Sequence, residues 1–115
     1  MRNDKNNVIV ELTFKFALAV VDYCELLESK RKYVLARQLL KSGTSIGANT
    51  REAQNAESKA DFIHKFKIAA KEADEAQYWL LLCKESDHYP DPVKLLEDLQ
   101  TIIKIISKII SSSKS

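Results

Sequence analysis

The chain is expected to be all-α, an antiparallel up-down-up-down four-helix bundle, and three observations lead there. Only two glycines and two prolines occur in 115 residues, which leaves little material for loops. The composition is rich at both ends, 45% hydrophobic and 30% charged, as long amphipathic helices require. Apolar residues then recur at alternating three- and four-residue steps over most of the length, the repeat of one helix face. A chain of this size can bury its own core without disulfides or metal, so residues 1–115 read as one domain.

The first helix is expected over residues 8–28, with Ile9, Leu12, Phe16, Ala19, Tyr23 and Leu26 on one side. Phe14, Leu18 and Val21 form a second apolar strip, so this helix should meet neighbours on more than one face. Ser29-Lys30-Arg31-Lys32 is the natural turn. The second helix, residues 33–56, puts small and polar residues where its seam should be apolar. Leu35, Leu39, Ser42, Ile46, Asn49, Ala53 and Ala56 step by four and three and share one face. A buried serine or asparagine there needs partners, because an unpaired buried amide costs about 1–3 kcal/mol. Gly43 and Gly47 lie in the interior of the same helix and each costs about 1 kcal/mol against alanine. They either break the helix or let another helix approach closely. Their spacing of four beside Ala48 favours close approach in a continuous helix.

Ser58 followed by Asp61 resembles a capping box and opens the third helix, residues 59–85. Its seam is Phe62, Phe66, Ala69, Ala73, Ala76, Leu80 and Cys83, and the three alanines suit the small residues of the second helix. Asp91 as N-cap with Pro92 at the first helical position opens the fourth helix, residues 92–111, and the serine-rich tail from Ser111 is expected to fray. Leu95, Leu99, Ile102, Ile106 and Ile109 form one row, and Leu96, Ile103 and Ile110 a second. One row seals a bundle core. Two rows point to an oligomer interface, or to a deeply inserted helix.

Several chemistries are excluded by what is missing. Glu85 and His88 match the Glu-x-x-His pair of di-iron bundles once, where the third helix ends, and no second copy follows. Two histidines and two distant cysteines give no zinc spacing, and no glycine-rich phosphate loop follows a strand. No cofactor is expected. Cys24 and Cys83 read as buried free thiols of a reducing compartment. Met1 to Asn7 is polar, unlike a signal peptide, and Ile102 to Ile110 is short and interrupted by Lys104 and Lys108. A cytoplasmic protein without membrane contact is expected.

Two features remain. Glu52 and Glu75 border the seams of the second and third helices, and an antiparallel pair could bring them to one height, as an acid pair for catalysis or as acceptors that lock register. Residues 30–51 also hold Lys30, Arg31, Lys32, Arg37, Lys41 and Arg51 with no acid among them, although the net charge is only +2. Such a cluster suits phosphate contacts made without regard to sequence, or is a plain solvated face.

Gln38-Leu39-Leu40-Lys41-Ser42, Ser45-Ile46-Gly47-Ala48-Asn49 with Glu52, and Lys59-Ala60-Asp61-Phe62 form a specific pattern, completed by Ile68-Ala69, Glu75 and Tyr78-Trp79-Leu80. The pattern resembles the proteins encoded in intervening sequences of bacterial large-subunit ribosomal RNA genes. It covers two of the four helices, and Ala53 departs from it where many relatives carry glycine. The resemblance implies an up-down-up-down bundle that assembles into a ring, typically a pentamer. The chain is also similar to the accessory protein of diversity-generating retroelements, which partners a reverse transcriptase and its RNA. Neither family supplies a catalytic residue. The expected function is therefore that of a non-enzymatic, homo-oligomeric, RNA-associated protein, with Lys30, Arg31, Lys32, Arg37, Lys41 and Arg51 touching phosphate. Ser42, Ser45, Asn49, Glu52 and Glu75 are expected to be structural. The alternative is a protein-interaction scaffold for a polymerase-type partner, and a small-molecule or hydrolytic site around Asn49, Glu52 and Glu75 is the third reading.

Overall fold

Four helices form where the apolar repeats place them: α1 (Val8–Ser29), α2 (Tyr33–Ala53), α3 (Lys59–Glu85) and α4 (Val93–Ser113). The computed structural model describes residues 7–114, so most of the polar Met1–Asn7 segment lies outside the described residues, as does Ser115. Each helix packs on its neighbours in sequence and α1 closes the ring onto α4, while no diagonal pair touches. Contacts at helix ends give the directions. Asn7 Nδ2 donates to Gln54 Oε1 at 2.9 Å, joining the start of α1 to the end of α2. Tyr23 Oη donates to the Pro90 carbonyl at 2.6 Å, joining the end of α1 to the start of α4. The fold is the antiparallel up-down-up-down four-helix bundle, 45 × 22 × 21 Å.

The helix ends follow local chemistry. Asn7 caps α1, its side chain accepting from Val10 N–H. The Ser58 hydroxyl accepts from Asp61 N–H at 3.0 Å, so α3 starts where its capping pattern places it. The Asp91 carboxylate accepts from Val93 N–H at 2.9 Å, so it caps α4 although the helix begins one residue later than expected. α4 also continues to Ser113, whose hydroxyl donates to the Ile109 carbonyl at 2.7 Å, so Ser111 to Ser113 is helical rather than frayed. α2 ends at Ala53 instead of Ala56. Its last turn tightens there: Gln54, Asn55 and Ala56 N–H donate to carbonyls three residues back, which leaves room for Ser58 to cap α3.

α2 is continuous through both glycines. Its buried face is Ala36, Leu39, Ser42, Gly43, Ile46, Thr50 and Ala53, so Leu35 and Asn49 are only half-buried. The seam is displaced because α2 packs between α1 and α3 and uses both flanks. The glycines face α1, not the alanines of α3. A Cβ on Gly43 would lie 2.8 and 2.9 Å from the two Val20 methyls, and one on Gly47 would lie 3.2 Å from the Thr13 carbonyl oxygen. The absent side chains let α1 and α2 meet backbone to side chain.

On α1 the core residues are Ile9, Val10, Thr13, Phe16, Val20, Tyr23, Cys24 and Leu27, with Leu26 turned out to solvent. Its second apolar strip meets no helix of this chain: Phe14, Leu18 and Val21 are exposed. The second row of α4, by contrast, is half-buried against the core, so it leaves little apolar surface for a partner. Exposed apolar area concentrates on α1 and α2 instead.

Cys24 and Cys83 are free and buried. Burial pushes the Cys24 thiol up to about 12, with Cys83 and Glu28 adding to it, and burial also raises Cys83. Both stay protonated and unreactive near neutrality.

This packing is open to direct test. Gly43→Ala should destabilise the bundle by about 1–3 kcal/mol through overpacking despite its better helix propensity. Val20→Ala in the same chain should recover part of that loss, read as coupling in a denaturant double-mutant cycle. Stability should hold steady below pH 9 and fall as pH rises towards 12, because the unfolded thiol ionises before the buried Cys24 does. Cys24→Ala should make that alkaline decline shallower in pH-dependent denaturation.

Candidate nucleic-acid interface

The six cations of residues 30–51 share a stretch of chain but not a surface. Lys30, Arg31 and Lys32 form the α1–α2 turn. Arg31 N–H donates to the Glu28 carbonyl at 2.9 Å and Lys32 N–H to the Leu27 carbonyl at 2.8 Å, the paired bonds of a Schellman ending. Arg31 occupies the left-handed position of that ending, with φ 63°, where glycine is usual. Lys30 and Arg31 are exposed. Lys32 is half-buried and its ammonium lies 4.9 Å from the centre of the Tyr89 ring, so it ties the turn to the α3–α4 loop. This removes Lys32 from the freely available cations.

Arg37 and Lys41 stand one turn apart on the outer surface of α2, both exposed. Arg51 is exposed near the far end of the helix, fourteen residues from Arg37 and so about 21 Å along the axis. None of the three makes an ion pair among the described residues. They are free charges on the outside of one helix, spread over its length.

The polar motif satisfies itself. Ser42 is fully buried, and its hydroxyl donates to the Gln38 carbonyl at 3.1 Å. Ser45 donates to the Lys41 carbonyl at 2.6 Å, Asn49 Nδ2 to the Ser45 carbonyl at 2.9 Å, and Thr50 to the Ile46 carbonyl at 2.8 Å. These bonds stay within α2, so no polar group is left aimed at a ligand. Glu52 and Glu75 do not form a pair. Glu52 accepts from Lys65 Nζ at 3.0 Å across the α2–α3 seam, which raises the Lys65 ammonium above its ordinary value. Glu75 lies ten residues further along α3, about 15 Å away on the axis, and accepts from Trp79 Nε1 at 3.3 Å. Both acids are exposed and partnered. Glu85 and His88 sit at the end of α3 and in the loop beyond it, and no cluster of three or more metal-ligating side chains occurs among the described residues.

The family model of the 23S rRNA-intervening sequence protein matches residues 5–112. The chain belongs to that family. A crystal structure from Bacteroides thetaiotaomicron VPI-5482, described as a protein of unknown function from the S23 ribosomal protein family, is similar to it with a TM-score of 0.84 and 39% identity. The similarity covers 89% of this chain and 97% of that one. No functionally curated protein matches. No helix among the described residues of this family member is long and apolar enough to cross a membrane.

The turn sets a test of its own. Arg31→Gly should preserve or raise stability by up to about 1 kcal/mol, since glycine takes the left-handed position without strain. Arg31→Val should lose about 1 kcal/mol or more, both measured by chemical denaturation.

Proposed function

We propose that this family member is a non-enzymatic, cytoplasmic, homo-oligomeric protein that associates with structured RNA. Its copies form a ring, and five is the number that the family resemblance implies. The observation that supports the RNA reading is the line of exposed cations, Lys30 and Arg31 at the turn and Arg37, Lys41 and Arg51 along α2, without partners that would neutralise those of the helix. The family's printed description, which links it to 23S rRNA, points the same way. A single copy offers only a weak anion surface, because the net charge is +2. Repetition around an assembly would turn this weak surface into useful affinity by raising the effective concentration of each contact. The self-satisfied polar motif and the separated acids favour a binding protein over a hydrolase.

Binding of the purified protein to ribosomal RNA and to duplex DNA, titrated through a salt series, tests this reading. Affinity should fall steeply with salt. Replacing Lys30, Arg31, Arg37, Lys41 and Arg51 by glutamine should weaken binding and flatten that slope by about one for each phosphate no longer neutralised. Absence of binding at low salt, or a neutral variant that binds as well as the parent, would overturn the RNA assignment. Co-purification of one protein after nuclease treatment would then favour a scaffold for a protein partner.

A further inference from the structure

The face shared by α1 and α2 carries an apolar strip that no element of the chain covers. Phe14 is 59% exposed, Leu18 53% and Leu40 40%, with Val21 beside them. Two shallow grooves run along it, one past Phe14 and Gly47 to Arg51, the other past Val21 and Leu40 to Arg37. Solvated helices carry exposed apolar residues singly, whereas these adjoin.

Charge is sorted across the strip. On α1 the exposed acids are Glu11, Asp22 and Glu25, and on α2 the exposed bases are Arg37, Lys41 and Arg51. The close approaches of Thr13 to Gly47 and Val20 to Gly43 fix the register of the two helices. Followed along the bundle, that register sets Glu11 level with Arg51, Asp22 with Lys41 and Glu25 with Arg37. These matched charges do not pair within the chain: the bases make no ion pair, and the pairing of Glu11 is with Lys15 on its own helix at 2.9 Å.

We propose that this face is the contact between copies of this chain, related by a rotation axis parallel to the helices. Such an axis preserves height along the bundle. The acidic rim of one copy therefore meets the basic rim of the next level for level, with the apolar strip buried between them. A two-fold axis lying in the face but across the helices would set acid against acid. A second copy is thus the occupant whose chemistry the face itself supplies. The inference rests on the homo-oligomeric part of the reading above and divides its cations between two tasks. Arg37, Lys41 and Arg51 hold the neighbour, and Lys30 and Arg31 remain open to phosphate.

The test measures mass in solution by sedimentation, with helicity checked by circular dichroism, for the parent, Leu18→Glu, Glu25→Arg, Arg37→Glu and the double variant Glu25→Arg/Arg37→Glu. The parent should be an oligomer and Leu18→Glu a folded monomer. Each single charge reversal should weaken association at least tenfold, and the double variant, which restores opposite charges at every contact, should recover it. If Leu18→Glu fails to fold, the charge series at exposed positions carries the test. An oligomeric parent whose variants all assemble normally would overturn this inference and leave the oligomer itself standing. A double variant that stays dissociated would overturn the parallel axis. A parent monomeric at every concentration would overturn both the inference and the oligomeric reading.

Discussion

The close approach of α1 to α2 is the constraint on which the rest of the bundle depends. At Gly43 the missing Cβ is replaced by the Val20 methyls, and at Gly47 the backbone of Thr13 moves into the same space. Both glycines carry the entropic cost of a flexible residue inside a helix, a cost offset only by packing that no larger side chain would allow. The approach lets hydroxyl residues take core positions without buried partners elsewhere. Thr13 donates to the Ile9 carbonyl at 2.8 Å as Ser42 and Thr50 donate within α2, so each presents a nearly apolar outline to its neighbours. What looks like a polar stripe is physically a thin seam.

Thinness on one side has a counterpart on the other. α3 lines its core with Ala69, Ala73 and Ala76, all fully buried, and α2 packs most intimately against it. The bulk of the core is supplied by Phe16, Phe66, Leu80, Leu99, Ile102 and Ile106, with a fully buried aliphatic side chain contributing about 1.5–3 kcal/mol. With the interior filled this way, the charged and polar functions are left to the exterior. The family to which the chain belongs is therefore read most directly from its surface, where unpaired cations and uncovered apolar residues lie side by side on α1 and α2.

How much of this is legible in the sequence differs from helix to helix. α3 is readable at both ends because its seam is regular and its start is written in side-chain chemistry, Ser58 with Asp61. The seam of α2 reads slightly out of phase: counting a single repeat selects Leu35 and Asn49, whereas packing on two sides buries Ala36, Gly43 and Thr50. Gly43 and Gly47 announce a close helix contact, but spacing alone does not tell which neighbour fills it. On α1 the second apolar strip is visible as a pattern, and only the fold reveals that no helix of the same chain covers it. Among the candidate site residues, chemical type is legible and placement is not. The Lys32–Tyr89 and Glu52–Lys65 contacts join elements whose relative height depends on the whole bundle, and the Asn7–Gln54 and Tyr23–Pro90 bonds have no local signature at all. The matched acids and bases of α1 and α2 are plain as residues, but their levels become readable only through the Thr13–Gly47 and Val20–Gly43 register.

The two ties to the α3–α4 loop, Tyr23 to Pro90 and Lys32 to Tyr89, sit at the same end of the molecule. α4 is thereby pinned beside its first turn, while its flank along α1 has the sparsest packing of any adjacent pair of helices. Its far end rests near Phe62 through Ile105 and Ile109, beside an open apolar hollow. Local unfolding of such a bundle starts where packing is thin and spreads towards the anchored end. α4 is built as a hinged flap on a three-helix frame, and amide protons near its C-terminus exchange with solvent before those beside Leu95.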